Sequence, residues 1–351
     1  DLHSFPTRRS SDLEIDSENE LSLVSGYDGI FNWVTSDKTI YVGRDLVVTS
    51  GENPFYANVV SVTFGDKVTS IAKRLFYDQS KLQSVVIGSG VKTIGSEAFR
   101  GAGDDTNTVG ELSVTMGENV ETIGSYAFDL CTTLYSINLP STLKLIEGYA
   151  FSSSGLQGIT IPASVDSIGA RAFGSCNNLT SIRIEDSTEP LKLWRGYDGT
   201  FNYSNADKSM YIGRDLKLDA EDRLFYSVTG NVTALEFGDL VTTINPYLFK
   251  ESDKLSSLTI GSGVKTIGAQ AFYGSGDDTE TVGEMFVTMG ENVETIGGDA
   301  FRGCSGLTSI ALPSTLKTIE GWAFSKTSLT SLTIPASVDI SRSEERRVGK
   351  E

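Results

Sequence analysis

The residue types with chemical reach in this chain are three cysteines, two loops carrying paired aspartates, and one histidine. Cys131, Cys176 and Cys304 each stand three residues after a phenylalanine: Phe128, Phe173 and Phe301. Elsewhere the same column holds Gln79, Ala102, Ser154, Ser252, Ser275 and Thr327. A column of mostly small side chains reads as a packing position, so buried, free thiols are expected. Cys131 and Cys176 have one repeat between them, with Ser154 in the column. Neighbouring strands lie about 4.8 Å apart, which would separate the two by ~10 Å. A disulfide needs Cα atoms within about 7 Å. No zinc site is expected either, because no histidine or Cys-x-x-Cys pair assists these thiols. The loops Gly103-Asp104-Asp105-Thr106 and Gly276-Asp277-Asp278-Thr279 offer adjacent carboxylates of the kind Ca²⁺ accepts. Calcium loops space their acids in alternation, so solvated turns are expected here. The single histidine, His3, lies near the start, so a Ser-His-Asp or Cys-His arrangement cannot be assembled from the rest of the chain. The remaining acids are scattered, and the glycines follow a repeat period rather than a phosphate-cradling motif. The expectation is a protein that is not an enzyme and has no cofactor.

Charge narrows the partners. The net charge of −17 argues against nucleic acid, whose phosphates call for Lys and Arg, and against an anionic membrane surface. A hydrophobic content of 39% is enough for a core, which excludes wholesale disorder. No apolar run reaches the ~18 residues of a membrane span, so no membrane insertion is expected.

The two ends differ from everything between them. Residues 1–12 (DLHSFPTRRSSD) and 341–351, which carries RSEERRVGKE at Arg342–Glu351, resemble conceptual translations of a sequencing-library adapter read on opposite strands. They are expected to be artefact, which would leave the body a fragment of a longer protein.

The elements that must carry these residues repeat at two scales. GYDGIFNW at Gly26–Trp33 returns as GYDGTFNY at Gly196–Tyr203, and TVGELSVTMGENVETIG at Thr108–Gly124 returns as TVGEMFVTMGENVETIG at Thr281–Gly297. Two copies are read, 13–186 and 187–340, the second carrying three extra residues in a loop between Leu216 and Phe237. Inside each copy runs a repeat of 22 to 23 residues marked by Phe76, Phe99, Phe128, Phe151 and Phe173, then Phe249, Phe272, Phe301 and Phe324. An Ile stands five residues before each landmark. The spacing stretches to 29 where GAGDDTNT and GSGDDTET intervene. In the clean unit Leu134–Phe151, Ile137 inward, Asn138 outward and Leu139 inward reads as a strand, and Pro140 stops the ladder. Gly95, Gly124, Gly148 and Gly169 suit a tight turn. A unit this short cannot bury its own apolar face, whereas stacked units can. Two segments depart from the pattern, Leu21–Thr49 and Leu191–Asp219. Each contains YxGRDL and reads as strand, turn, strand: a degenerate repeat, or a separate hairpin module.

The pattern LxxIxIPxxVxxIGxxAFxxC, matched nearly position for position by Gly155–Phe173 with Cys176, resembles the BspA-like leucine-rich repeat, and nine copies agree. The resemblance implies a right-handed leucine-rich-repeat coil, β-rich, with short 3₁₀ or extended segments on the opposite face. It also implies a secreted or surface-displayed bacterial protein of the kind associated with adhesion.

The outward column of the strands, counted from the repeat, reads Thr63, Val86, Thr115, Asn138, Thr160 and Arg183, then Glu236, Thr259, Thr288, Ala311 and Thr333. Thr favours strands in any case, so this face reads either as plain solubility or as a broad contact surface. Aromatic anchors for a partner are expected in the atypical segments: Tyr27 and Trp33, Tyr197 and Tyr203. Phe31 and Phe201 read as core. Two functions follow. One is an extracellular or cell-surface module that binds a protein or glycan through one face. The other is a structural spacer that displays another domain.

Overall fold

In the computed structural model, residues 12–15, 21–23, 36–48, 54–55, 58–104, 110–194, 199–201, 206–218, 231–278, 280 and 283–339 are described. The chain falls into two compact units, Asp1–Gln157 and Gly158–Glu351.

In the first unit, strands Asp12–Ile15, Lys38–Val42, Val59–Phe64, Ser84–Ile87 and Ser113–Thr115 form one parallel sheet. In the second, Gly158–Ile161, Ser181–Ile184, Lys208–Ile212, Val232–Phe237, Ser257–Ile260 and Phe286–Thr288 do the same. Their burial alternates because inward residues such as Val62 and Val85, or Ile182 and Leu258, fill the interior. Behind them the landmark rings stack. Phe55, Phe76, Phe99, Phe128 and Phe151 have successive centroids 5.0, 5.8, 5.3 and 5.3 Å apart. In the second unit Phe173 meets Phe201 at 5.3 Å, and Phe249, Phe272, Phe301 and Phe324 follow one another at 6.3, 5.2 and 5.6 Å. Phe201, expected in the core, is fully buried there.

The expected back of the coil is overturned. Every described element is a β-strand, so each unit is an all-β solenoid rather than a leucine-rich-repeat coil with 3₁₀ or extended pieces opposite the strands. The landmark Ile residues lie on a second parallel ladder of two-residue strands, Ser70–Ile71, Thr93–Ile94, Thr122–Ile123 and Leu145–Ile146, with Thr243–Ile244, Thr266–Ile267, Thr295–Ile296 and Thr318–Ile319 in the other unit. The arc through each Phe explains the absence of a 3₁₀ run. Residues two before and two after Phe76, Arg74 and Asp78, take positive φ (57° and 52°). This alternation turns every second amide toward the next coil: Arg74 N to Ser96 O, Phe76 N to Ala98 O and Asp78 N to Arg100 O, at 3.0, 2.8 and 2.7 Å. A 3₁₀ helix would spend all of those donors on itself.

Two local expectations also change. The segment Ile137-Asn138-Leu139 alternates in burial but forms no strand, and neither does Ile310-Ala311. Both belong to the coil that follows a 29-residue spacing. Gly95 and Gly124 serve close approach rather than a left-handed turn. A Cβ on Gly95 would lie 2.6 Å from Ile71 O, and one on Gly124 would lie 2.7 Å from Ser96 N.

Over their described residues the atypical segments are degenerate coils and not hairpins, since the pairings there are all parallel. Lys38–Val42 pairs with Val59–Phe64, and Lys208–Ile212 pairs with Ser181–Ile184 and Val232–Phe237. Their YxGRDL motif is turn machinery. Arg214, 1% exposed, donates from Nη1 to Ala163 O and from Nη2 to Pro162 O at 3.0 and 3.1 Å. Asp215 Oδ1 accepts Thr242 N and Thr243 N at 2.7 and 3.0 Å, as Asp45 Oδ1 accepts Thr69 N and Ser70 N in the first unit.

Candidate functional site

The long-strand sheets present their outward columns in register. In the first unit the row runs Tyr41, Thr63, Val86 and Thr115. In the second it runs Thr160, Arg183, Tyr211, Glu236, Thr259 and Thr288. Eight of the eleven outward-column residues read from sequence, Thr63, Val86, Thr115, Thr160, Arg183, Glu236, Thr259 and Thr288, therefore stand on these rows. Asn138 is exposed but sits outside any strand. Tyr27, Trp33, Tyr197 and Tyr203 lie outside the described residues, as do Phe31, residues 1–11 and 340–351, and the loop expected to hold the three extra residues.

The structure adds Tyr41 and Tyr211 to the rows. Counting from the Phe landmark could not find them, because their coils lack the regular spacing; ladder register does. Tyr211 makes a built cluster. The Arg183 Cζ lies 3.9 Å from its ring centroid, its hydroxyl donates to Asp186 Oδ1 at 2.6 Å, and Arg183 Nη2 is 3.8 Å from Asp186 Oδ2. Burial, followed by the hydrogen bond to Asp186, pushes the Tyr211 phenol up to about 12. The row two residues earlier is small: Ser181, Ser209, Ala234 and Ser257. Between these rows lies a depression of ≈ 260 Å³. Arg183, Tyr211 and Glu236 wall it, offering a cation, an aromatic edge and a carboxylate side by side. In the first unit the same register holds Glu14, Tyr41 and Thr63, so the tyrosine recurs but Glu and Thr stand where the second unit has Arg183 and Glu236.

A second outward feature also escaped sequence reasoning. The Phe arcs carry a ladder of cations and aromatics: Arg74 over Tyr77 at 4.2 Å, Arg100 over Tyr126 at 5.6 Å, and Tyr126 stacked on Tyr149 at 4.6 Å. The second unit has Lys250 over Tyr273 at 4.7 Å and Arg302 over Trp322 at 5.3 Å. The signal was there in the positions two before and one after each Phe. Because Arg100 also holds Asp129 of the next coil at 2.8 Å, this ladder first ties coil to coil, while Arg302 holds Asp299 of its own arc at 3.1 Å.

Of the chemistry-bearing residues the cysteines resolve as structural, whereas His3, Asp105, Thr106 and Thr279 lie outside the described residues. All three cysteines are free and buried. Cys131 Sγ donates to Phe99 O at 3.1 Å and Cys304 Sγ to Phe272 O at 3.0 Å, as the Ser275 and Ser252 hydroxyls donate to Phe249 O at 2.7 and 2.8 Å. At these four positions the column supplies small donors to Phe carbonyls. Burial raises the Cys131 thiol strongly and the Cys304 thiol to about 12, which leaves both inert as nucleophiles. Among the described residues no group of three or more His, Cys, Asp and Glu is placed to hold a metal ion, and no helix is long and apolar enough to cross a membrane.

Residues 24–110, 106–205 and 219–344 match the family described as BspA type leucine rich repeat region (6 copies). No curated protein matches the sequence. Solved structures do. A leucine-rich repeat protein from Bacteroides ovatus is 25% identical over 78% of each chain, with a TM-score of 0.38. A leucine rich cell surface protein from Faecalibacterium prausnitzii is 20% identical over 93% of this chain and 89% of its own, with a TM-score of 0.35. The pneumococcal vaccine antigen PcpA is 17% identical over 95% and 89%, with a TM-score of 0.38.

Proposed function

We propose, starting from the fact that this chain belongs to the BspA type leucine-rich-repeat family, that it is an extracellular or cell-surface module which binds a protein or glycan through one solenoid face. The observation that carries this reading is the wall Arg183–Tyr211–Glu236 of the second unit. A spacer has no use for a charged and aromatic group set against a floor of Ser and Ala, and a Thr row would keep such a sheet soluble. Interface anchors are drawn from these residue types. The face is shallow, so affinity in the micromolar range or weaker is expected, on the order of −8 kcal/mol or less in magnitude. The row of the first unit offers less to grip beyond Tyr41, because Thr63, Val86 and Thr115 follow it. A glycan and extracellular-matrix protein array probed with the full chain tests the proposal. Signals that fade in an Arg183→Ala/Glu236→Ala double variant with unchanged melting support it. Silence across the array, or signals indifferent to the double variant, sinks it.

A further inference from the structure

The two copies diverge most pointedly at one corner of the second unit. Over TVGELSVTMGENVETIG and TVGEMFVTMGENVETIG only two positions differ. Leu112 and Met285 are both buried apolar residues, which is a neutral exchange. The other exchange sets Phe286 where the first copy has Ser113. Phe286 is 64% exposed at the head of its strand, next to Ser257 on the neighbouring one. An exposed ring there contributes nothing to the core, and Ser at the same register serves the first unit.

A second change falls on the same corner. Asp253 replaces Ser80 in the turn that leads into Ser257–Ile260. It joins Asp277 and Asp278 in the segment that leads to Phe286; Asp278 N donates to Asp253 O at 3.2 Å. Glu284, exposed, stands two residues before the ring. The nearby cation Lys254 is taken by Asp207 at 2.8 Å. Burial, then the charges of Asp277 and Glu251, raise the Asp253 carboxyl to about 6.

We infer that this corner docks a cationic polypeptide segment, with an aliphatic side chain against the Phe286 ring and Lys or Arg flanks against Asp253, Asp277 and Glu284. The backbone N–H of Phe286 donates to Ser256, three residues after Asp253, and its exposed ring stands two residues after the exposed Glu284. This sets an apolar group close in the chain to carboxylates, the apolar centre and charged border of a protein interface. The same carboxylates repel acidic glycans and acidic peptides. The inference rests on the chain being a binding module, and it concerns a different patch from the Arg183 wall.

The test is fluorescence anisotropy of the full chain with a blocked, labelled Lys-Lys-Leu-Lys-Lys peptide at low and physiological salt. Binding that weakens with salt is expected. Phe286→Ser, a change the first copy already accommodates, should weaken it about tenfold with melting unchanged, on the scale of an interface anchor. Asp253→Asn should weaken it and flatten its salt dependence. Equal binding of the Glu-Glu-Leu-Glu-Glu or Lys-Lys-Gly-Lys-Lys peptide, indifference to Phe286→Ser, or no binding overturns the inference. So does a neutral oligosaccharide such as maltoheptaose binding through Phe286, or Phe286-dependent dimerisation in sedimentation. Array signals lost in the Arg183/Glu236 variant while the peptide fails discard this inference alone. Peptide binding with a silent array discards the Arg183 wall alone.

Discussion

Single residues show how the fold handles polar groups placed inside it. Lys208 is an inward strand residue, 1% exposed, whose Nζ donates to Ala206 O, and burial pulls its amine down to about 8 from the ordinary 10.5. The folded state therefore holds this proton less tightly than the unfolded chain does. Below pH 8 both states are protonated and the cost of the buried charge is present in full. Between about 8 and 10.5 the unfolded chain alone stays protonated, so stability contributed at this site rises with pH. Urea denaturation of the full chain should show that rise between pH 7.5 and 10, and Lys208→Met should be more stable at pH 7 with the rise flattened. An unaltered slope in the variant would refute the assignment. The cysteines teach the complementary lesson. Their column was legible as small and buried, but its purpose was not, because nothing in spacing reveals that the Phe carbonyl of the neighbouring coil needs a donor.

At the scale of the element, stability comes from stacking between successive coils. Phe99 lies between Phe76 and Phe128, at 5.8 and 5.3 Å, and meets Phe64 edge-on at 6.1 Å. Truncating it removes contacts to both neighbours at once and opens a cavity that strands held by ladders on two sides cannot close. Phe99→Ala should cost about 3–5 kcal/mol in chemical denaturation. A loss under about 1 kcal/mol would mean the stack is not what holds the first unit. The back of each coil was misread at this same scale. The Thr-Ile pairs carry the right residues for a strand, yet two residues are too few to register as a period. The left-handed positions two before each Phe fall on residues such as Arg74, Glu97 and Tyr126, and those two after fall on glycine at Gly101, Gly274 and Gly303 but on Asp78, Leu130 and Ser153 elsewhere, so the sequence offered no consistent turn signal there.

For the molecule as a whole, the net charge of −17 sets a background that every part feels. Self-repulsion among carboxylates destabilises a compact state, and salt screens it over a Debye length of about 10 Å at 0.1 M. The melting temperature should rise from 10 to 150 mM NaCl; a fall would show that ion pairs such as Arg100–Asp129 outweigh the repulsion. By itself, the sequence determined the period, the Phe stack, the duplication and the free thiols. Stacked coils satisfy only their nearest neighbours, so a one-dimensional pattern is enough to specify them. What the tertiary structure alone decided is which side chains become neighbours across coils of unequal length. Tyr211 sits beside Arg183 and Glu236, and Phe286 beside Ser257, because hydrogen-bonded register aligns strands whatever number of residues separates them.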